Sequence, residues 1–261
     1  MQIAFNRPLR EIGQMVNSLP LSDRIIIEVG YPLIKTYGVH AVSVVKNLWD
    51  RKLLGTILPH SKQETKPLPL EAQIFKYLFT SPKAKDVIQN KKGNLESTKN
   101  IFLPYIVADL KCMDRAFVEV GAAARAGASA ATCLGLAPVE TINEFIKKCN
   151  EINVDSFLDM MNVEYPFEVL SKLSALPKVV MLHRGVDENE NNKDKDIPLH
   201  EIERIKNAYD NILIAVAGGE TTREVMSVAF NGADIVVVWR QINEGRSDIA
   251  NLTKEFLKEI E

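Results

Sequence analysis

Long apolar runs are absent from this 261-residue chain. No stretch approaches the roughly 20 residues that a membrane-spanning helix needs, so no membrane partner is expected. Charge of one sign is missing too. The 32 Lys and Arg stand against 34 Asp and Glu, a formal net charge of −2, which gives no reason to expect a nucleic-acid partner. Cysteine is scarce, at three residues. Cys112, Cys133 and Cys149 match neither a zinc spacing nor a disulfide framework, and they fit a reducing compartment. The first residues show no basic segment leading into a continuous apolar one, so no secretory leader is read there and a cytoplasmic location is expected.

What is present is an alternation. Short aliphatic runs cover Gln2–Phe5, Arg24–Glu28, Leu103–Asp109, Ser129–Leu134, Val154–Asp159, Lys178–His183, Ile212–Ala217 and Asp234–Val238. They read as strands buried on both faces of a parallel sheet. Between them lie amphipathic stretches: Leu9–Leu19, Arg115–Ala126, Val139–Asn150, Leu199–Tyr209 and Thr222–Asn231, with Asn251–Ile260 after the last strand. In one of these, Ile202, Ile205 and Tyr209 form the apolar stripe of a helix on a sheet. Strands alternating with helices give an α/β protein, either a (β/α)8 barrel or a doubly wound sheet. Eight strands favour the barrel over residues 1–261 as one domain. One stretch, Lys52–Lys99, is too long for an ordinary connection. It holds nine Lys, four acids and four Pro, and reads as an insertion between the second helix and third strand. Within it, Leu70–Phe79 has a short amphipathic pattern with Ile74 and Leu78 on one face.

In a barrel the site lies where the strands end at their C-terminal side. Asn6, Glu28, Asp109, Asp159, His183, Gly218 and Arg240 stand at or just beyond those ends. Some of them suit helix capping as well. Asp109 and Lys111 are two apart, so on an extended backbone they share a face. Asp114 follows at the start of the next helix, where a carboxylate is a plausible cap. An Asp-Lys-Asp cluster keeps its lysine charged and its acids ionised, and it can serve a divalent metal and an enediolate. The same spacing suits a structural salt-bridge network. Glu28 with Asp109 supplies two hard oxygen donors of the kind Mg²⁺ takes; a salt bridge to Lys or Arg is the other reading of Glu28. His183, followed by the polar stretch Asp187–Asp196 read as a loop, suits acid–base work. Gly218-Gly219 after the seventh strand, joined by Arg240, suits phosphate.

These residues carry a resemblance. Asp109-Leu110-Lys111-Cys112-Met113-Asp114 matches the Asp-x-Lys-x-x-Asp motif of the orotidine-phosphate-decarboxylase superfamily. Within it the chain is similar to the 3-hexulose-6-phosphate synthases at Glu28–Lys35, Leu134–Thr141, Leu158–Val163, Leu182–Asp187 and Val216–Gly219. The wording is nearest to the synthase domain that archaeal proteins carry fused to a formaldehyde-activating domain. The resemblance implies a (β/α)8 homodimer with shared active sites that uses Mg²⁺. It implies interconversion of D-ribulose 5-phosphate plus formaldehyde with D-arabino-hex-3-ulose 6-phosphate through an enediolate. By position, Glu28 and Asp109 hold the metal, and Lys111 stabilises the enediolate oxygen or moves a proton. Asp114 reaches the neighbouring subunit's site, and His183 shuttles a proton. Gly218, Gly219 and Arg240 hold phosphate, with Asn6, Glu28 and Asp159 as further substrate-binding positions.

Three departures mark this chain. Asn6 stands where the family usually has Asp, and an amide still bonds a hydroxyl but adds no charge. Trp239 stands where Gly usually precedes the strand-eight Arg. The Lys52–Lys99 stretch has no counterpart. They keep two other readings open: a decarboxylase or epimerase acting on another sugar phosphate, and a weakened paralogue that only binds a phosphorylated metabolite.

Overall fold

A computed structural model describes residues 1–57, 103–192, 197–218, 221–244 and 248–260. The strands are β1 (Gln2–Phe5), β2 (Ile26–Val29), β3 (Tyr105–Cys112), β4 (Ala130–Leu134), β5 (Asp155–Asp159), β6 (Val179–His183), β7 (Leu213–Ala217) and β8 (Ile235–Val238). Each pairs in parallel with the next, and β8 closes on β1, so the sheet is a barrel rather than an open doubly wound sheet. The helices are α1 (Leu9–Ser18), α2 (Tyr31–Tyr37), α3 (His40–Ile57), α4 (Ala116–Arg125), α5 (Val139–Glu151) and α6 (Pro166–Leu170). They continue with α7 (Val186–Asn191), α8 (His200–Ala208), α9 (Thr222–Phe230), α10 (Arg240–Glu244) and α11 (Ile249–Glu259). Two compact units divide the chain: Met1–Lys52 with Pro104–Glu261, which holds the barrel, and Leu53–Leu103. The Leu70–Phe79 pattern, and the 52–99 insertion beyond the end of α3, lie outside the described residues. No described helix is long and apolar enough to cross a membrane.

The alternation explains the layers. Successive strand side chains point to opposite faces. One set fills the barrel interior: Ala4, Val107, Phe157, Met181, Ala215 and Val237 belong to one buried cluster. The other set meets the helices. Ile12 and Val16 on α1, Ile142, Phe145 and Ile146 on α5, and Ile202 and Ile205 on α8 are all fully buried. Tyr209 departs from the expected stripe; it ends α8 and stacks on Phe167 at 5.9 Å between centroids.

Five local features differ from the expectation for physical reasons. β3 runs past Asp109 to Cys112 through a register shift: Ala108 pairs with Ala131 and Cys112 with Cys133, so β3 takes four steps where β4 takes two. Asp187–Asp196 is not wholly a loop, because its first residues continue α7 from Val186. Asp114 does not cap α4; the capping position is Arg115, in left-handed backbone at φ 53°. α11 starts at Ile249 because the Asp248 side chain accepts from the amides of Ala250 and Asn251. Lys52, expected to open the polar stretch, instead closes α1: its Nζ donates to the carbonyls of Val16, Asn17 and Leu19.

Phe157 on β5 has no exposed surface and belongs to the barrel cluster. Phe157→Ala is expected to cost about 3–5 kcal/mol of unfolding free energy, because neighbouring strands cannot collapse into the void. Urea unfolding followed by circular dichroism reads this, and a loss below about 1 kcal/mol would mean a loosely packed interior.

Candidate active site

A cavity of about 980 Å³ opens at the C-terminal ends of the strands. Glu28, Asp109, Lys111, Asp114, His183 and Gly218 line it, as do Asn6 and Trp239. Parallel pairing explains the gathering. Every strand points the same way, so inward residues at the strand ends converge on one mouth.

β3 supplies the centre of the site, although not by the simple extended geometry its spacing suggests. Lys111 has left-handed backbone at φ 45°, inside the register shift. Thr132 on β4, fully buried, stitches the irregularity together. Its Oγ1 accepts from the Lys111 amide at 3.0 Å and donates to Asp109 Oδ1 at 2.8 Å. The other carboxylate oxygen, Asp109 Oδ2, accepts from the Tyr31 amide in the first turn of α2 at 3.3 Å and lies 3.4 Å from Lys111 Nζ. Lys111 Nζ also donates to Asp159 Oδ2 at 2.9 Å. Asp159 in turn holds His183: Nδ1 lies 2.9 Å from each carboxylate oxygen, while the Met161 amide donates to Oδ1 at 3.0 Å.

The electrostatics follow. Burial works to raise the Asp159 carboxyl, but His183 and Lys111 outweigh it and bring it down to about 2. Burial also disfavours the charged forms of Lys111 and His183. For Lys111, Asp109 and Asp159 win and the ammonium is held above its usual range. For His183, Asp159 wins, so the imidazole stands above its ordinary 6.5. Glu28 goes the opposite way. Burial first, and then the charge of Asp109, push it up to about 7. Its Oε2 accepts from Gln2 Nε2 at 2.5 Å.

Two buried carboxylates, one raised by the other, have the donor chemistry a divalent cation satisfies. Among the described residues no cluster of three or more His, Cys, Asp or Glu is placed for a metal. A cation held by Glu28 and Asp109 would therefore complete its shell with water or substrate oxygens.

The remaining sequence candidates divide. Asn6 lines the cavity; its amide nitrogen donates to Asn243 Oδ1 at 3.0 Å, and its own Oδ1 is buried without a partner. Gly30 must be glycine, since a Cβ there would sit 1.8 Å from Asn6 Oδ1. Gly218 lines the cavity at φ 122°, backbone that side chains disfavour. Gly219 lies outside the described residues. Asp159 lies beneath the cavity wall, holding Lys111 and His183 rather than lining the space. Arg240 opens α10 outside the lining; its Nη2 donates to Glu190 at 3.2 Å and its guanidinium stacks 5.2 Å from the Trp239 ring. Asp114 is exposed at the rim. Thr132, Asn243 and Arg184 were not picked out from sequence. Thr132, a hydroxyl inside an aliphatic strand at an inward position, carried a visible signal. Asn243 carried none, since its bonds to the Ala4 carbonyl and the Asn6 amide join it to positions far away in the chain.

Glu28 is expected to make the stability of the metal-free protein depend on pH. Its folded value lies above the ordinary 4.5, so its favourable contribution is complete below about 4.5 and lost as pH rises through about 7. Glu28→Gln is expected to remove that part of the decline, at most about 3 kcal/mol, and to be the more stable protein at pH 8. Urea titrations of both proteins at pH 5 and pH 8 measure the difference, and parallel pH profiles would remove the raised carboxyl.

Comparison with known proteins bears on the fold and the family. A sequence profile described as Orotidine 5'-phosphate decarboxylase / HUMPS family matches residues 90–254. The chain is 32% identical over 262 residues to a Bifunctional enzyme Fae/Hps of Methanothrix thermoacetophila, covering 100% of this chain and 52% of that protein. It is 30% identical over 264 residues to the Bifunctional enzyme Fae/Hps of Archaeoglobus fulgidus, with 100% and 52% covered. The chain thus spans about half the length of the curated relatives it matches. In structure it is similar to 3-hexulose-6-phosphate synthase from Salmonella typhimurium, with TM-score 0.71, 21% identity, and 99% of this chain and 97% of that one covered. It is also similar to 3-keto-L-gulonate-6-phosphate decarboxylase from Vibrio cholerae, with TM-score 0.67, 15% identity, and 100% and 96% covered. These likenesses carry the fold alone; the profile, matching more than half of the chain, carries the family. The chain is a (β/α)8 barrel and belongs to the Orotidine 5'-phosphate decarboxylase / HUMPS family.

Proposed function

We propose that this chain is an Mg²⁺-dependent aldehyde-lyase that interconverts D-ribulose 5-phosphate plus formaldehyde with D-arabino-hex-3-ulose 6-phosphate. The observation that carries the reading is the convergence of Glu28, Asp109, Lys111, Asp159 and His183 from four strands at one mouth. The Fae/Hps names of its relatives, and the likeness to hexulose-phosphate synthases, point the same way.

Glu28 and Asp109 are the residues that would hold Mg²⁺. When bound, the ion supplies Lewis acidity that makes the substrate ketone easier to enolise. In the synthetic direction, neutral His183 takes the proton from C1 of ribulose 5-phosphate. The electron pair left behind becomes an enediolate, which the Lys111 ammonium stabilises. A lysine held above its usual range suits that charged role better than a base's role. C1 then attacks the carbon of formaldehyde, the C=O electrons move to oxygen, and His183 returns the proton there. One proton leaves and one is delivered, so His183 ends as it began, and the reverse steps cleave the bond. Asp159 fixes His183 through Nδ1 and leaves Nε2 for the transfer. Asn6 is assigned to a substrate hydroxyl. The phosphate is assigned to Gly218, Gly219 and Arg240, with Arg184 beside Gly218: its Cβ lies 3.4 Å from where a side chain at position 218 would begin.

The reading includes a homodimer in which Asp114 serves the neighbouring subunit's site. Support comes from exposed apolar side chains near Asp114 in the chain: Met113, which lines the cavity, and Phe117 and Val118 in the first turn of α4. No nucleic acid or membrane enters the proposal, and the cytoplasm is its setting.

Purified protein is expected to consume formaldehyde with ribulose 5-phosphate and Mg²⁺, and to stop with chelator. Asp109→Ala is expected to lower turnover by about 10²–10³-fold or more with the fold retained. Because His183 stands above 6.5, its neutral form accumulates only at higher pH, so synthetic kcat/KM is expected to rise with pH with a midpoint above 6.5. Absence of turnover, with ribulose 5-phosphate still bound, would move the assignment to another sugar phosphate. Trp239 favours that second reading, since its indole lines the cavity where the family usually has glycine. Trp239→Gly is expected to lower the Kd for ribulose 5-phosphate, read by calorimetry, and an unchanged Kd would clear the indole of crowding the site.

A further inference from the structure

Gln2 opens β1 with no exposed surface. Its Nε2 donates to Glu28 Oε2 at 2.5 Å, one diagonal step across a strand pair in which Gln2 faces Ile26 and Ala4 faces Glu28. Its own Oε1 is buried and has no hydrogen-bond partner. An amide left half-satisfied inside a barrel is a cost to folding, and methionine would fill a similar volume without it. Packing therefore does not explain the residue.

The bond to Glu28 does. A glutamate carboxylate turns easily about its last torsion, which has broad, roughly two-fold preferences. Asp109 is held at both oxygens, by the Thr132 hydroxyl and the Tyr31 amide. Glu28 has no comparable frame; among the described residues, Gln2 is its one hydrogen-bonding partner. A donor on Oε2 sets the plane of the group and leaves Oε1 as the oxygen available to the cavity that Glu28 lines. We propose that Gln2 is a positioning residue, holding Glu28 so that Glu28 and Asp109 present oxygens together to a divalent cation. This inference rests on the assignment of the metal to Glu28 and Asp109.

Calorimetric titration of the whole chain with Mg²⁺, and separately with Mn²⁺, tests it. Gln2→Met keeps the side chain's reach and removes the donor. Metal binding is expected to weaken roughly 10–100-fold, as for groups that orient metal ligands. The Mg²⁺ concentration for half-maximal turnover is expected to rise in step, with kcat recovered at saturation. Gln2→Asn keeps an amide one methylene short of Glu28, so the same loss is expected; it carries the comparison if Gln2→Met does not fold. Unchanged metal affinity in a folded variant overturns the proposal even if the protein melts earlier, because a purely structural glutamine moves the melting point and not the isotherm. Wild-type protein that binds neither metal removes the metal site itself, and the positioning role falls with it.

Discussion

Asp159 ends β5 with no exposed surface, and a desolvated carboxylate left alone would be strongly destabilising. It is tolerated because Lys111 and His183 both reach it and the Met161 amide completes the shell. The other features of the site depend on this arrangement. Lys111 must come off β3 at the right height, and it does so from left-handed backbone, a conformation that costs on the order of 1–3 kcal/mol for a side-chain-bearing residue. The ion pairs to Asp159 and Asp109, and the Thr132 hydroxyl under the Lys111 amide, hold it there. The strained turn, the lysine, the imidazole and the buried acid form one unit. Removing Lys111 leaves the buried Asp159 carboxylate short of a charge partner.

The barrel and its inward residues were legible because they depend on local periodicity. Short aliphatic runs alternating with amphipathic stretches fix which side chains point inward, and strand ends then name Glu28, Asp109, Asp159 and His183. What periodicity does not carry is a change of step. Asp109 and Lys111 reach one cavity as their spacing suggests, yet the path between them is a register shift that no alternation rule encodes. Single-turn helices escaped for a similar reason: α6, α7 and α10 are too short to display a repeat. Arg240 was chosen for its charge and its place after β8. Its actual engagement with Glu190 depends on α7, an element the polar sequence concealed.

The placement of polar groups inside the barrel separates stability from chemistry. Below the mouth the interior is Val107, Phe157, Val179 and Ile235, which bond to nothing and pack. At the mouth the same inward positions hold titratable groups whose preferences are driven apart: Asp159 down, Glu28 up, Lys111 held charged. Such divergence within one cavity is the pattern that supports the proposed function. Glu28 is the member that is not matched, and its one donor comes from a glutamine whose own carbonyl goes unmet.

Asn6 bears on whether the chain's departures spoil this site. β1 and β2 are neighbours, and Phe5 pairs with Val29, so the end of β1 stands beside the end of β2 that carries Glu28. A carboxylate at position 6 would add a third acid to a mouth where Asp109 already raises Glu28. An amide adds none of that repulsion while keeping a donor and an acceptor. The structure frames it closely: Asn243 bonds the Asn6 amide nitrogen and ties the Ala4 and Trp239 carbonyls together, and Gly30 leaves room for Asn6 Oδ1 by lacking a side chain. Asn6 Oδ1 is buried and meets no partner in the protein, so an amide at position 6 changes the charge beside Glu28 while fitting the space that Gly30 leaves.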